Sequence, residues 1–283
     1  MNALEGMRVA LLEARMPEEL AALVRRHGGE PCSAPALREE RVAGAAAVHD
    51  LIEQASREAA PVLVFSSGVG VAALFAESRA MGRDGDLREV LRRATAVCRG
   101  PKPVAALRRE GVEVPVRVRA PYTTAELLEA LAGLGVDGRF TIIVHYGERN
   151  TPLVEAVAAR GARVHELLLY VWRLPEDLEP LRRLVAGIVD GQVGAVVFTS
   201  QIQARHLFQV AASMERAGAL RDALRSRAVV TAVGPTCARA LAALGIPPHV
   251  VPDNPKMGSM LTALADHVSR TRLSPQPPTG APL

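Results

Sequence analysis

The sequence predicts an α/β fold made of two similar, doubly wound units, each with a mostly parallel sheet. Two observations predict this fold. Short apolar runs alternate with stretches of helical periodicity along the whole chain, and the second half of the chain repeats the first. The composition agrees, since 283 residues with 49% hydrophobic and 23% charged residues suffice for two ordinary folded domains.

Between the apolar runs, segments such as Glu18–His27 and Gln201–Arg216 carry apolar residues at three- and four-residue spacing, which is typical of amphipathic helices. Alternation of such helices with strands favours parallel sheets covered on both faces. The runs predicted as strands are Met7–Leu12, Pro61–Ser66, Thr95–Cys98, Phe140–Tyr146, Ala195–Thr199 and Ala228–Val233.

The two halves of the chain match each other in one register. A shift of 133 residues aligns Phe65–Ser67 with Phe198–Ser200, and a shift of 134 aligns Gly100–Pro101 with Gly234–Pro235. Shared apolar rhythm would match polarity but not glycine and proline identities, so we infer a duplication. Two similar lobes commonly enclose a cleft, and ligands of such sheets bind at the carboxyl ends of the strands.

Composition and charge argue against several classes of protein. The net charge is +4, with a sequence pI near 9.3, but no block of five or six basic residues occurs and aromatic residues make up 3%; we therefore expect no nucleic-acid partner. The cysteines Cys32, Cys98 and Cys237 are far apart, which predicts reduced thiols in the cytoplasm rather than disulfides or a metal site. No run approaches the ~18 apolar residues of a membrane span, and no leader pattern opens the chain.

Four strand-to-helix junctions carry residues suited to binding anions. The first N–H groups of a helix lack partners and lie at the positive end of its dipole. The structural alternative is that each junction is simply an N-cap or a turn. No G-x-G-x-x-G or P-loop motif occurs. The candidate binding residues are Ser66, Ser67, Gly68, Gly100, Pro101, Lys102, Thr199, Ser200, Gln201, Gly234, Pro235, Thr236 and Cys237.

Tyr170 is the candidate catalytic residue. It is predicted to end an apolar strand within "ELLLYVWRLP", where the chain leaves one lobe, and a phenol there could donate a proton. The alternative is a structural tyrosine that is half-buried at a strand end. The common catalytic motifs G-x-S-x-G and H-E-x-x-H are absent from the sequence.

The sequence resembles the uroporphyrinogen-III synthase family from about Met7 to about Val268. The motifs that carry the resemblance are "FTS" (Phe198–Ser200), "AVGPTCARALAALGI" (Ala232–Ile246), "VPDNPKMGSMLTAL" (Val251–Leu264) and "LLLYVWRLP", which contains Tyr170. The resemblance implies two α/β domains joined by a pair of extended linker strands. It implies one domain over residues 1–38 and 173–270 and another over 39–171. We expect residues 271–283, Pro-rich from Ser274, to form a disordered tail.

The resemblance also implies a reaction. Hydroxymethylbilane, a linear tetrapyrrole with eight carboxylates, would close to uroporphyrinogen III with loss of water and inversion of the last pyrrole ring, without a metal or organic cofactor. Tyr170 would assist the loss of water. The chain departs from the family where Cys237 replaces a frequent Thr and where Pro103, which has no N–H, fills the equivalent place in the first half. We expect a monomer.

Two other functions stay open from the sequence. A two-lobed binding or regulatory protein could close on an anionic small molecule without chemistry. It would have no need of a phenol at the lobe junction, so Tyr170 favours the enzyme. An NAD-dependent enzyme is disfavoured by the missing glycine fingerprint.

Overall fold

The computed structural model describes residues 3–273, which alternate between strands and helices. The predicted tail lies outside the described residues from Ser274 onward. In chain order the elements are β1 (Arg8–Leu11), α1 (Pro17–Arg26), β2 (Glu30–Ser33), β3 (Arg38–Arg41), α2 (Ala45–Ser56), β4 (Val62–Phe65), α3 (Gly68–Ala80), α4 (Asp84–Arg93), β5 (Thr95–Cys98), α5 (Pro101–Arg109), β6 (Val116–Arg117), α6 (Thr124–Ala132), β7 (Phe140–Val144), α7 (Thr151–Ala158), β8 (Arg163–Leu167), β9 (Tyr170–Arg173), α8 (Glu179–Val189), β10 (Ala195–Phe198), α9 (Gln201–Ser213), α10 (Ala217–Ser226), β11 (Val229–Ala232), α11 (Pro235–Ala243) and α12 (Met257–Leu273).

The chain divides into two compact units. Unit A comprises Met1–Arg38 and Leu174–Leu283, and unit B comprises Glu39–Arg173. Strands β3 and β9, where the chain passes from one unit to the other, pair in a two-stranded sheet.

Unit A is built on a parallel sheet in the order β11-β10-β1-β2. Its strands alternate between two apolar layers. Ala10 and Val196 pack on one face with α8 to α11, whereas Val9 and Val197 pack on the other with α1 and α12. Such strands are buried on both faces, which explains why they read as continuous apolar runs in the sequence.

Unit B is built on a parallel sheet in the order β6-β5-β4-β7-β8. Its alternation is the same: Phe65 and Cys98 face one apolar layer, and Val64 and Val97 face the other. All strands of the sheet end at one edge, where the residues that follow β4, β5 and β7 become neighbours.

The structure confirms the predicted duplication at the level of elements. The segment β4-α3-α4-β5-α5 has the same order and the same element lengths as β10-α9-α10-β11-α11, namely 4, 13, 10, 4 and 9 residues. Each half of the chain nevertheless contributes strands to both sheets, because β1 pairs with β10 and β4 pairs with β7.

Two sequence-based expectations were wrong in detail. Tyr170 begins β9 instead of ending an apolar strand. Residues 271–273, assigned to the tail, continue α12, where Thr271 donates to the His267 carbonyl at 3.0 Å and the Arg272 guanidinium donates to the carbonyls of Ala3 and Glu5 at 3.3 and 3.0 Å. These contacts extend the helix beyond the point that the proline content suggested.

The six predicted strands are confirmed, each within the predicted run, but β2, β3, β6, β8 and β9 lay outside the prediction. Strand β3 shows why, since its sequence is REER and no residue of it is buried. A strand without an apolar face gives no periodic signal.

Candidate functional site

Each sheet brings two of the predicted junctions together at its carboxyl edge. In unit B, Ser66–Gly68 follows β4 and Gly100–Lys102 follows β5, and these strands are paired neighbours. In unit A, Thr199–Gln201 follows β10 and Gly234–Cys237 follows β11, which are also paired. The predicted binding residues therefore form two clusters, one in each unit.

Ser67 caps α3 and also contacts Tyr170. Its Oγ accepts the Gly70 N–H at 3.0 Å, and the same oxygen lies 2.8 Å from the Tyr170 hydroxyl. The Tyr170 side chain has no exposed surface. Any action of the phenol on a ligand must therefore involve Ser67 or a rearrangement of this bond.

Tyr170 lies in an aromatic cluster with Tyr146 and Trp172. The ring centroids of Tyr170 and Trp172 are 5.2 Å apart and nearly perpendicular, and Tyr146 lies 6.4 and 5.4 Å from Tyr170 and Trp172. Gly147 packs so closely on Trp172 that a Cβ would clash with its indole nitrogen, and its φ of +61° also requires glycine. The cluster holds the residues after β7 against β9.

A cation adjoins this cluster. The Arg99 guanidinium carbon lies 5.5 Å from the centre of the Tyr146 ring. The side chain is half-buried, and burial lowers the pKa of its guanidinium despite the opposing influence of Tyr146, Tyr170 and Glu148. Arg99 directly precedes the Gly100–Lys102 junction, so positive charge accompanies that helix end.

A polar network supports the residues after β7. His145 is almost fully buried, and its Nε2 lies 2.9 Å from a Glu166 carboxylate oxygen while its Nδ1 accepts the Asn150 N–H at 3.4 Å. Arg149 donates twice to Glu166, at 2.8 Å each. Burial lowers the pKa of His145, and the hydrogen bond from Arg149 lowers the pKa of Glu166.

The helices α5 and α11 begin without a side-chain cap. Gly100 and Gly234 occupy their N-cap positions, and each is followed by proline. In α11 the second and third positions, Thr236 and Cys237, retain N–H groups. In α5 only the second position, Lys102, does, because the third is Pro103.

The expectation of free amides at Thr199 and Ser200 was wrong. The Gln203 side-chain oxygen accepts the Thr199 N–H at 2.8 Å and the Ser200 N–H at 3.2 Å, completing a capping box with Ser200. The Thr199 hydroxyl donates to Glu13, which places a carboxylate at this junction. This junction is satisfied internally, and its acidic neighbour opposes an anion.

Cys237 presents its backbone rather than its thiol. Its side chain is 3% exposed, packs in the core and lies 3.6 Å from the Phe198 carbonyl. Burial raises the pKa of the Cys237 thiol to about 12, so the thiol is neutral and unreactive. Where the resemblance implies a threonine, Cys237 therefore offers neither a hydroxyl nor a thiolate.

Among residues 3–273 there is no group of three or more His, Cys, Asp or Glu side chains placed to hold a metal ion. None of the described helices is both long and apolar enough to cross a bilayer. A cavity of about 460 Å³ lies in unit A between β2 and α8, lined by Arg8, Cys32 and Arg183 among others, and none of the predicted site residues lines it.

Sequence reasoning missed Glu13, Tyr146, His145 and Gln203, and it left Arg99 out of the candidate binding residues although Arg99 opens the segment "RGPKP". Two of them had a readable signal. Ser200 and Gln203 have the spacing of a capping box, and Arg99 directly precedes a predicted junction. The others depend on contacts between distant parts of the chain.

Comparison with known proteins connects this geometry to one family. The family model described as "Uroporphyrinogen-III synthase HemD" matches residues 18–262. The chain is 30% identical over 254 residues to a "Putative uroporphyrinogen-III synthase" of Methanothermobacter thermautotrophicus, covering 89% of this chain and 95% of that one. It is 29% identical over 266 residues to the "Uncharacterized protein YjjA" of Bacillus subtilis, covering 94% and 97%.

Comparison with solved structures points to the same family. A crystal structure of a mutant uroporphyrinogen III synthase from Thermus thermophilus superimposes with a TM-score of 0.74 at 29% identity, covering 94% of this chain and all of that one. The enzyme from Helicobacter pylori, at 12% identity and a TM-score of 0.53, shares the fold.

Proposed function

The chain belongs to the uroporphyrinogen-III synthase family, and from this premise we infer that it closes hydroxymethylbilane to uroporphyrinogen III. The reaction of the family is a cyclisation that loses water and uses no cofactor. In free solution the same bilane closes without ring inversion, so the enzyme must hold a conformation that brings the last ring to the reacting carbon in the inverted sense.

The single observation that carries the chemical part of the proposal is the hydrogen bond between Tyr170 and Ser67. We assign the phenol as its donor. Ser67 Oγ then accepts from both Tyr170 and Gly70, and its own O–H remains available at the start of α3.

Proton transfer would run from Ser67 to the departing hydroxyl of the bilane, while Tyr170 replaces the proton on Ser67. Water leaves, and the resulting azafulvenium cation is attacked by the terminal pyrrole. After rearrangement, the proton that the new macrocycle releases restores the phenol. The step balances without any other reagent.

The carboxylates of the bilane would bind at strand-to-helix junctions of each unit. In unit B these are Ser66–Gly68 and Gly100–Lys102, and in unit A they are Gly234–Cys237, with the backbone N–H groups of α11 supplying the donors. The Thr199 and Ser200 N–H groups already donate to Gln203, and the Thr199 hydroxyl donates to Glu13. We therefore assign residues Thr199–Gln201 a supporting role beside α11.

We further propose that the chain acts as a cytoplasmic monomer without nucleic-acid or membrane partners. The free thiols of Cys32, Cys98 and Cys237 support a reducing compartment. Light scattering of the purified chain checks the oligomeric state.

The decisive experiment is a product-isomer assay. Purified protein is supplied with hydroxymethylbilane generated by a coupled enzyme, and the products are oxidised and separated by chromatography. We expect mostly the III isomer. Formation of the I isomer alone, at the spontaneous rate, would contradict catalysis and leave only the binding of an anionic ligand.

A further inference from the structure

Arg99 is half-buried and has no ionic partner among the described residues, unlike several arginines of the same unit. Arg79, Arg88 and Arg92 each form ion pairs with carboxylates. Among the described residues no carboxylate lies within ion-pair distance of the Arg99 guanidinium, and Glu148 acts on it only from farther away. A half-buried cation without a counter-ion is unfavourable for folding, which suggests that it serves another purpose.

The surroundings of Arg99 orient its guanidinium for a ligand. The guanidinium carbon lies 5.5 Å from the centre of the Tyr146 ring, within cation–π distance. A contact with an aromatic ring uses none of the guanidinium N–H donors, which stay available to a planar anion such as a carboxylate. Tyr146 is itself held by Tyr170 and Trp172.

Two further groups of donors lie close to Arg99 along the backbone, namely the Ser66 hydroxyl and the N–H groups at the start of α5. The Arg99 N–H donates to the Phe65 carbonyl at 3.0 Å, which places Arg99 beside Ser66. The Ser66 hydroxyl is buried and has no hydrogen-bond partner among the described residues. On the other side, α5 begins two residues after Arg99 without a side-chain cap. An unsatisfied hydroxyl, an uncapped helix and an unpaired guanidinium thus occupy one stretch of the sheet edge.

We propose that Arg99 binds a carboxylate of the substrate through its guanidinium and is a specificity-determining residue for polyacidic substrates. The inference rests on the proposed function. The bound carboxylate supplies the counter-ion that the folded chain lacks, and a paired guanidinium–carboxylate contact adds geometric selectivity. Binding energy and orientation are gained at the edge that carries Ser67 and Tyr170.

The test combines kinetics, binding and stability of Arg99→Met and Arg99→Gln in the full chain. We expect KM for hydroxymethylbilane to rise at least tenfold while kcat changes less. We also expect the melting temperature to stay unchanged or rise, because the substitution removes an uncompensated cation. A structural role would instead lower the melting temperature and leave KM unchanged.

A binding readout separates this inference from the proposed function. Trp172 is the single tryptophan, and quenching of its emission by uroporphyrin III, a stable octacarboxylate, gives a Kd without catalysis. We expect a tenfold weaker Kd in both Arg99 variants and no change in Arg92→Gln, an exposed arginine paired to Glu89.

The outcomes are distinguishable. Wild-type protein that forms only the I isomer would remove the proposed function, yet weaker porphyrin binding by the Arg99 variants would still support the carboxylate contact. Wild-type formation of the III isomer with unchanged KM and Kd in both variants would overturn the Arg99 assignment alone. Failure of both variants to fold would assign Arg99 to stability and overturn it too.

Discussion

At the scale of single residues, the hydroxyl of Tyr170 is the group on which the proposed chemistry depends. Replacing Tyr170 by Phe removes the proton source but keeps the ring that packs on Trp172. We expect kcat to fall about 100-fold or more, a typical contribution of acid catalysis. The free energy of unfolding should fall by only about 1 kcal/mol, because one buried hydrogen bond is lost. Steady-state kinetics and thermal melting measure the two effects.

Tyr122→Phe is the matched control, since it removes another phenol of unit B that takes no part in the proposed proton transfer. A Tyr170→Phe variant with unchanged kcat would remove Tyr170 from the mechanism. Ser67→Ala should lower kcat as much as Tyr170→Phe. Normal turnover in Ser67→Ala, with slow turnover in Tyr170→Phe, would mean that the phenol contacts the bilane directly.

Ser200 allows the capping role of a junction serine to be separated from ligand binding. Ser200→Ala removes the cap of α9, so we expect a loss of about 1 kcal/mol in the free energy of unfolding. KM should change less than about threefold, or about 0.7 kcal/mol, because Gln203 already holds the amides of this junction. Denaturant unfolding and steady-state kinetics check both. A tenfold rise in KM at unchanged stability would show that Ser200 binds substrate after all.

The residues that sequence reasoning found and missed differ in one physical respect. Junction residues such as Gly100 and Pro235 are predictable because helix starts have local chemical requirements. Arg99 adjoins a predicted junction in the sequence, but only the fold reveals that its guanidinium lies over Tyr146 without a carboxylate within ion-pair distance. Glu13 and Thr199 are 186 residues apart, so no local pattern could have paired them.

At the scale of elements, the connection between β7 and α7 depends on the buried His145. Burial lowers the pKa of this imidazole, so the folded chain keeps it neutral to a lower pH than the unfolded chain does. As the pH falls through the ordinary histidine pKa, near 6.5, the unfolded state takes up the proton first, and the free energy of unfolding decreases. Glu166, whose pKa is lowered by Arg149, acts in the same direction at more acidic pH.

We therefore expect the melting temperature of the wild type to fall between pH 7.5 and pH 5.5, and His145→Gln to show a smaller fall. His165 and His267 also have a pKa lowered by burial and leave a residual pH dependence in the variant. Replacing the exposed His49 by Gln provides the control. Calorimetry at several pH values measures the effect, and equal acid sensitivity in wild type and His145→Gln would contradict it.

The elements differ in how well the sequence predicts them, and burial explains the difference. Strands β4 and β10 are central, buried on both faces and visible as apolar runs. Strand β2 lies at a sheet edge and strand β3 in the two-stranded sheet, and no residue of either strand is buried. Their strand structure comes from backbone pairing with distant segments, which periodicity does not report.

At the scale of the whole molecule, the repeating unit of the sequence differs from the packed unit of the structure. The repeat joins β1 to α6 as one half and β7 to α12 as the other, whereas each sheet draws strands from both halves. Self-comparison of the sequence reveals the duplication because identities persist in register. It does not reveal the exchange, because that depends on which strands pair.

This exchange predicts which piece of the chain folds alone. Residues 39–173 contain all five strands β4 to β8 and both apolar layers of that sheet. We expect this fragment to unfold cooperatively with a single thermal transition, followed by circular dichroism. Residues 1–135 have the same length but lack β7 and β8, so β4 loses one neighbour and both layers lose members. This fragment should stay unfolded or aggregate. Cooperative folding of 1–135 together with an unfolded 39–173 would mean that the sequence repeat, and not unit B, is the folding unit.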